Sequence, residues 1–354
     1  GGRPDGSAGL QPAHAGGAIM RFIGSKALLL EDIYDIISEE IKGPIETVGD
    51  LFSGSGVVSQ FFKRKGYKVI SNDLMCMSYV IARGYLDLNT APTFSGLNGM
   101  DVFSYLNGLR EPEESENSFV FKNFSPNEAS ARMYFQPGNA KKIDAIRQQI
   151  ELWFSGSSIT ENEYFYLLTS LLLAVPYVSN IAGVYAAYLK HWDARTYKPL
   201  YLEPVPIVPS RYQCEVFNMD AVELCKHKRF DLVYIDPPYN QRQYSPNYHV
   251  LETIARYDSP ALHGVTGMRD YERSDFCIKG KVKNAFQTLF KNLQSKYAIV
   301  SYNNEGLLST IELTDLLSNY GKVKLKEIPY RRYKSKIPNN SKGLKEQLYF
   351  VDMR

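Results

Sequence analysis

A short motif combines groups suited to chemistry on a planar amine: Asp236, Pro237, Pro238 and Tyr239. The apolar run 232–235 before it predicts a buried strand that stops at the two prolines. A carboxylate and the Pro237 carbonyl, held rigid by the prolines, can accept the two hydrogens of an exocyclic amine such as adenine N6. The Tyr239 ring can stack on an extruded base. The motif therefore predicts amine methylation; the alternative is that the prolines only end a strand.

A glycine-containing turn follows a second predicted strand, over residues 47–51. Gly54 and Gly56 lead into a predicted helix. A dinucleotide-binding fingerprint would require glycine at the position of Ser59, so that interpretation is weak. The turn permits close backbone approach to a ligand, and Asp50 at its entrance suits the cationic amino group of S-adenosylmethionine.

Two more charged residues are expected at the same ligand. A strand predicted over 67–71 ends just before Asp73, which puts a carboxylate where a ribose would present its hydroxyls. The alternative for Asp73 is an ordinary turn carboxylate. Lys26 precedes a run of apolar residues at helical spacing, 27–37. A cation at a helix start opposes the helix dipole, a cost tolerated where the cation contacts an anionic ligand group.

The order of three motifs carries a family resemblance: residues 22–26, 50–56 and 236–239. Together they resemble the Dam-like, alpha-group N6-adenine DNA methyltransferases of restriction-modification systems. Further blocks extend the resemblance over nearly all of the chain after Met20: residues 180–185, 242–249 and 301–303. That family often has Glu-Pro-Phe where this chain has Asp50, Leu51 and Phe52, a variant that keeps the charge.

The resemblance implies an α/β fold: a Rossmann-like seven-stranded S-adenosylmethionine-dependent methyltransferase sheet with an inserted, largely helical target-recognition region. It implies S-adenosylmethionine as the methyl donor, adenine in double-stranded DNA as the target, and the motif at 236–239 as the catalytic residues. The cofactor-binding residues it implies are Phe22, Gly24, Lys26, Asp50, Phe52, Ser53, Gly54, Gly56, Asp73, Asp220 and Asp236.

Two segments are candidates for DNA binding. The loop after the catalytic motif carries amides and aromatic rings, which suit base-edge contacts and stacking. Its candidates are Arg242, Gln243, Tyr244, Asn247 and Tyr248. The second segment, 322–345, has nine basic residues and one acid, the pattern of a phosphate-tracking loop. Its candidates are Arg331, Arg332, Lys334 and Lys336. A solvated hairpin is the alternative for this stretch.

The composition predicts one large core with a smaller lobe, because 44% of the 354 residues are hydrophobic. The net charge of +3 does not by itself indicate a nucleic-acid binder. The four cysteines lack Cys-x-x-Cys spacing and indicate neither a metal site nor a disulfide framework. The longest apolar stretch, 164–175, is shorter than the ~18 residues of a membrane span. Thr160 and Glu163 form a capping box before it, so it predicts a core helix.

The spacing between Asp73 and Asn218 exceeds the ~10 to 15 residues of an ordinary crossover helix, so an insertion is expected there. The predicted organisation is an expression-derived leader over 1–19, a catalytic domain over 20–89 and 206–354, and an inserted target-recognition region over 90–205. We expect a monomeric, cytoplasmic bacterial enzyme that acts on double-stranded DNA and has no membrane segment. A cognate restriction endonuclease is a further candidate partner.

Other functions stay open at this point. The same corner serves other planar amines, so the chain could methylate N4 of cytosine or adenine in RNA. It could also be a non-catalytic, methyltransferase-like DNA-binding subunit. Asp50, Gly54, Asp236 and Tyr239 argue against the last alternative, because a lapsed enzyme has no physical reason to keep all four.

Overall fold

The computed structural model of the chain describes residues 26–109, 118–240, 243–329 and 345–354. The predicted leader lies outside these residues. The structure is a mixed α/β fold built around a seven-stranded sheet. The strands are β1 (Thr47–Asp50), β2 (Lys68–Asn72), β3 (Glu215–Phe217), β4 (Arg229–Ile235), β5 (Leu262–His263), β6 (Met268–Arg269), β7 (Gln294–Asn303), β8 (Lys322–Pro329) and β9 (Lys345–Asp352). The helices are α1 (Leu30–Glu40), α2 (Val57–Arg64), α3 (Cys76–Leu86), α4 (Val102–Gly108), α5 (Phe119–Phe124), α6 (Pro137–Ser155), α7 (Glu161–Ala174), α8 (Ala221–His227), α9 (Ser245–Arg256), α10 (Val282–Asn292) and α11 (Thr310–Ser318).

The large sheet has the strand order β3-β2-β1-β4-β7-β9-β8. The first five strands in this order pair in parallel, whereas β9 pairs antiparallel with both β7 and β8. Strands β5 and β6 form a separate hairpin. The predicted seven-stranded, Rossmann-like α/β architecture is therefore confirmed.

Helices cover both faces of the sheet, and the side chains of the central strand alternate between them. Leu232 and Tyr234 of β4 point into the core shared with α1, α2, α3, α7 and α9. Val233 and Ile235 point into the core shared with α8, α10 and α11. This period of two, apolar on both faces, is the pattern of a fully covered parallel strand.

The connection between β2 and β3 is helical in its described part and carries α3 to α7. Its helices do not form a core of their own. Buried residues of α4, α5, α6 and α7 belong to the same cluster as those of α1, α3 and the sheet. On α7, Thr169 Oγ1 donates a hydrogen bond of 2.8 Å to the Val80 carbonyl of α3. The predicted insertion thus packs directly on the layer that supports the sheet; its boundaries at 90 and 205 stay a prediction.

Local signals in the sequence account for several elements. The capping box predicted at Thr160 and Glu163 is formed, and α7 follows it. Helix α2 ends at Arg64, and Gly66 two residues later has φ +87, a left-handed conformation that glycine tolerates. Within the described ranges no helix is long and apolar enough to cross a membrane. The four cysteines are free thiols, and all except Cys76 are buried.

A buried lysine closes the end of α3. Lys63 of α2 is almost inaccessible, and its Nζ donates hydrogen bonds to three carbonyls: Tyr85 at 3.2 Å, Leu86 at 2.9 Å and Leu88 at 2.8 Å. These carbonyls lie at the carboxyl end of α3, where the helix dipole favours a cation. Burial lowers the pKa of Lys63. The lysine therefore ties α2 to α3, the two helices that flank the ligand-facing ends of β1 and β2.

Replacing Lys63 by methionine tests this tie. The variant leaves three carbonyls without their donor, so we expect the free energy of unfolding to fall by about 2–4 kcal/mol. Urea unfolding followed by circular dichroism measures the change. Arg64→Met removes the same charge from the next, exposed position of α2 and is the matched control. Equal losses in the two variants would contradict the capping role.

Candidate active site

The site lies where the strand order reverses. Strand β1 pairs with β2 on one side and with β4 on the other, so a crevice opens at their carboxyl ends. Asp50 of β1 is in register with Tyr234 of β4, two residues before Asp236. A cavity of about 510 Å³ occupies this crevice, a size typical of small-ligand sites.

The predicted cofactor-binding residues converge on this cavity. All of those that the structure describes, except Gly56, line it: Lys26, Asp50, Phe52, Ser53, Gly54, Asp73, Asp220 and Asp236. Phe22 and Gly24 lie outside the described residues. Residues far apart in sequence therefore share one wall because the ends of β1, β2 and β4 meet there.

The glycine turn after β1 is held by backbone hydrogen bonds. Gly54 has φ +50 and Gly56 has φ +72, both in the left-handed region, where a side chain would strain the backbone. The Gly54 amide donates to Asp73 Oδ2 at 2.8 Å. The Ser53 amide donates to the Asn72 carbonyl at 2.9 Å. These two hydrogen bonds attach the turn to the end of β2, and residues 53–55 of the turn line the cavity.

Asp50 is a buried carboxylate with one free acceptor. Its side chain is 1% exposed, and Oδ2 accepts a hydrogen bond of 2.6 Å from the Ser59 hydroxyl. Oδ1 has no hydrogen-bond partner among the described residues, and neither does the hydroxyl of Ser53 nearby. Burial raises the pKa of Asp50 to about 7, and the charge of Asp236 adds to this effect. An unpaired buried carboxylate oxygen is costly, which points to a cationic or hydrogen-bond-donating ligand.

The other two predicted acids differ in environment. Asp73 accepts from the Gly54 amide and, through Oδ1, from the Met75 amide at 2.9 Å. Burial raises the pKa of Asp73 to about 6 despite these bonds. Asp220 is exposed and caps α8 by accepting from the Val222 amide at 2.8 Å. Each carboxylate keeps lone pairs that can accept further hydrogens from a ligand.

Asp236 follows β4 and faces the cavity. Its side chain keeps 17% of its surface accessible, and Oδ1 lies 3.3 Å from Lys26 Nζ. Burial raises the pKa of Asp236 to about 7, although Lys26 opposes that rise. Lys26 is 3% exposed and also pairs with Glu346 at 2.7 Å. Burial disfavours the charge of Lys26, but the two carboxylates outweigh it and raise its pKa.

This arrangement modifies the expectation for Lys26. Local sequence suggested a lysine at a helix start that contacts an anionic ligand group. The structure instead puts Lys26 four residues before α1 begins at Leu30, between two carboxylates of the protein itself. An ammonium has three hydrogens, so one N–H is still available to a ligand.

The rest of the predicted catalytic motif is well anchored. Pro237 is buried, Pro238 lines the cavity, and the Tyr239 carbonyl accepts from the Leu307 amide at 3.0 Å. The Tyr239 ring packs edge-on against Tyr302, with ring centroids 6.3 Å apart. Lys26 Nζ lies 5.6 Å from the centroid of the Tyr239 ring, within cation–π range. Contacts with neighbouring residues therefore fix the positions of both the Asp236 carboxylate and the Tyr239 ring.

The predicted DNA-binding residues fall into four groups. Gln243 and Tyr244 line the same cavity, and both amide atoms of Gln243 bond to the Ser274 backbone. Asn247 is half-buried, in the first turn of α9. Tyr248 is 1% exposed within the core, so its side chain offers no surface to DNA in this conformation. The others lie outside the described residues: Arg242, Arg331, Arg332, Lys334 and Lys336.

Sequence reasoning missed three parts of the site. The sequence suggested no role for Ser59 beyond the absence of a glycine at this position. In the structure its hydroxyl donates a hydrogen bond to Asp50 Oδ2. Glu346 pairs with Lys26 across 320 positions of sequence, and no local signal indicated it. Residues 272–276 form another wall, where Phe276 packs against Phe52 with ring centroids 5.3 Å apart.

A family model described as "D12 class N6 adenine-specific DNA methyltransferase" matches residues 22–316. The match covers most of the chain, including the glycine turn and the Asp-Pro-Pro-Tyr motif. The chain therefore belongs to this family, as the resemblance of its motifs predicted.

Individual relatives agree with this assignment. The chain is 42% identical over 339 residues to type II methyltransferase M.FokI of Planomicrobium okeanokoites and 40% identical over 340 residues to modification methylase StsI of Streptococcus sanguinis. These alignments cover 94% and 95% of this chain but 52% of each relative, so the chain spans about half their length. It is also 37% identical to type II methyltransferase M.NlaIII of Neisseria lactamica, covering 91% of this chain and 94% of that protein.

The raised pKa of Asp50 makes the stability of the ligand-free protein depend on pH. An aspartate ionises near pH 4 in an unfolded chain but Asp50 ionises near pH 7 in the folded one. Unfolding therefore releases a proton within this window, and stability falls as pH rises from about 4 to about 7. Asp50→Asn removes this contribution, so the stabilising effect of the substitution should grow through that window and level off above it, at about 4 kcal/mol.

Urea unfolding of the ligand-free proteins at several pH values between 4 and 8 measures this difference. Asp73 and Asp236 titrate in both proteins, so their contributions to the difference in unfolding free energy cancel to first order. Asp35→Asn, on the exposed side of α1, controls for the loss of one surface carboxylate. A difference between wild type and Asp50→Asn that does not change with pH would contradict the buried, protonated state.

Proposed function

We propose that this chain transfers a methyl group from S-adenosylmethionine to the N6 amine of an adenine flipped out of double-stranded DNA. The observation that carries the proposal is the convergence of Asp50 and Asp236 on one cavity at the ends of adjacent strands. A carboxylate suited to a cationic cofactor thereby stands beside a carboxylate suited to a target amine. Membership of the D12 class supports the same reaction.

The cavity fits S-adenosylmethionine by the chemistry of its lining. Asp50 Oδ1 and the Ser53 hydroxyl, which have no hydrogen-bond partner within the described part of the chain, can receive the amino group of the methionine end. The Gly54 turn allows close backbone approach, and Asp73 at the end of β2 can accept from ribose hydroxyls. Asp220 and its neighbours on the wall suit the adenine end. When bound, this cofactor supplies an electrophilic methyl group on a sulfonium.

The chain's own part in the reaction is to orient and polarise the target amine. Asp236 accepts one N–H, the Pro237 carbonyl accepts the other, and both favour the positive charge that develops on nitrogen. The prolines and the Leu307 bond to Tyr239 fix these acceptors before the substrate arrives. Tyr239 stacks on the extruded base and offsets part of the few kcal/mol that flipping costs.

We propose double-stranded DNA as the partner, bound along the loop after the catalytic motif and the basic carboxyl-terminal stretch. Gln243, Tyr244 and Asn247 are retained in this set, together with Arg242, Arg331, Arg332, Lys334 and Lys336. Tyr248 is removed from it because its side chain is buried. We further propose residues 90–205 as the target-recognition region. The names of the relatives, modification methylases, support a cognate restriction endonuclease as a partner in the cell.

The direct test is incubation with S-adenosylmethionine and mixed-sequence plasmid DNA, followed by nucleoside mass spectrometry and single-molecule sequencing. N6-methyladenine in one short sequence context supports the proposal and identifies the site. N4-methylcytosine, or methylation of RNA alone, would replace the substrate. Cofactor binding in a calorimeter without methylation would favour a non-catalytic subunit.

Asp236→Ala separates catalysis from cofactor binding. Because Asp236 serves the target amine, we expect turnover to fall by at least ~10³-fold while the affinity for S-adenosylmethionine changes little. Radiolabelled methyl transfer and isothermal titration calorimetry measure the two quantities. Asp35→Ala on α1 is the control and should behave as wild type. Unchanged turnover in Asp236→Ala would remove this residue from the mechanism.

Tyr239→Ala tests stacking on the flipped base. Stacking contributes about 1–3 kcal/mol per base, so we expect roughly 10- to 100-fold lower kcat/KM on a fully paired duplex. The loss should be smaller when the target adenine is mismatched, because that base flips at lower cost. Tyr239→Phe keeps the ring and should retain most activity. Equal losses on paired and mismatched DNA would argue against stacking.

A further inference from the structure

Two carboxylates share one buried ammonium beside the proposed catalytic motif. Lys26 Nζ lies 2.7 Å from Glu346 Oε1 and 3.3 Å from Asp236 Oδ1. Glu346 is 2% exposed, and its Oε2 has no hydrogen-bond partner among the described residues. The cluster of Lys26, Asp236 and Glu346 therefore holds two potential negative charges and one positive charge in a nearly dry place.

The position of Glu346 follows from the sheet. In β9 it pairs with Asn303 of β7 and shares a face with Leu348 and Phe350, both in the core that α1 covers. An apolar residue would fit this pattern better than an acid. Burying an ion triad costs free energy that well-packed apolar side chains would not, so a stability role is a weak explanation for Glu346.

The charge balance gives a better explanation. Lys26 alone with Asp236 would form a neutral pair, and a neutral pair stabilises a nearby positive charge poorly. Glu346 provides Lys26 with its shorter contact, 2.7 Å against 3.3 Å. The cluster thus stays net negative when both acids are ionised, and of its two carboxylates it is Asp236 that lines the cavity.

We propose that Glu346 is a positioning residue that holds and neutralises Lys26, so that Asp236 presents its negative charge to the target amine. The inference rests on the proposed function. In the transfer, the N6 lone pair forms the bond to the methyl carbon while the carbon–sulfur bond breaks and its electron pair stays on sulfur. Positive charge moves to N6, which then loses a proton to water. A net negative cluster next to N6 favours that charge movement.

Several titratable groups face Asp236 and set its ionisation. They are Lys26 before α1, Glu346 on β9, Asp50 on β1, Tyr234 on β4, and Tyr239 and Tyr244 in the following loop. Burial raises the pKa of Asp236 most, Lys26 lowers it and Glu346 raises it. Removing the charge of Glu346 therefore lowers the pKa of Asp236 and leaves a more neutral Lys26–Asp236 pair.

Glu346→Gln tests the proposal, because glutamine keeps an acceptor for Lys26 and removes only the charge. We expect kcat for DNA methylation to fall about 10-fold, with KM for DNA and the affinity for S-adenosylmethionine nearly unchanged. The acid limb of the kcat profile should move to lower pH by roughly one unit. A merely structural role would not move that limb downwards.

A second readout does not depend on activity. In cofactor-free protein labelled at aspartate Cγ, NMR titration should place the ionisation of Asp236 at lower pH in Glu346→Gln than in wild type. The signal is assigned with Asp236→Asn. Glu327→Gln is the matched control: Glu327 lies on the neighbouring strand β8, more exposed, and pairs with Lys345, so neither readout should change.

The outcomes separate the two proposals. A wild-type protein that binds cofactor but methylates no DNA overturns the proposed function, while the NMR titration still tests the charge coupling. A wild type that methylates, with unchanged kcat, pH profile and Asp236 titration in Glu346→Gln, overturns the role of Glu346. If Glu346→Gln strongly lowers the melting temperature, Glu346→Asp is the second variant to measure, because it keeps the negative charge on a shorter side chain. Its acid limb should stay near that of wild type, and a limb shifted like that of a neutral residue would contradict the proposal.

Discussion

The parallel pairing of β1 with β4 is the constraint on which this molecule depends. It places Asp50 and Asp236, which are far apart in sequence, at the same edge of one sheet. Both are buried enough that their pKa values rise to about 7. Two acids in a poorly solvated crevice destabilise the ligand-free fold, and a cationic ligand relieves that cost. The edge thus suits the positively charged cofactor that we propose, and the proposed target amine that becomes positive during transfer.

The surrounding structure keeps this edge rigid. Helices bury an apolar core on each face of the sheet, and the helical insertion joins one of these two cores instead of forming a separate one. Glu252 of α9 accepts hydrogen bonds from the Cys76 and Met77 amides at the start of α3, at 3.0 Å and 2.8 Å. The helix that follows the loop after β4 is thereby tied to the turn that carries Asp73. One buried carboxylate thus links the part of the cavity next to β4 with the part next to β2.

The balance of charge around Lys26 connects this architecture to the proposed methyl transfer. Lys26 lies 3.3 Å from the carboxylate that we propose as catalytic, and it is held by Glu346 as well as by Asp236. A buried lysine needs a carboxylate nearby to balance its positive charge. A carboxylate whose negative charge is balanced in this way stabilises a positive charge on a substrate poorly. The second carboxylate resolves this conflict. It also explains how one short motif after β4 can present a negative group without a solvent shell.

Local sequence determined much of this protein. Four features were predictable because each depends on backbone geometry or burial within a few residues: the apolar run of β4, the prolines after it, the glycine turn after β1 and the capping box at Thr160 and Glu163. Tertiary structure alone decided which side chains meet. The pairing of Glu346 with Lys26, the burial of Tyr248 and the wall at 272–276 depend on strand order and helix packing, which bring together residues with no local pattern in common.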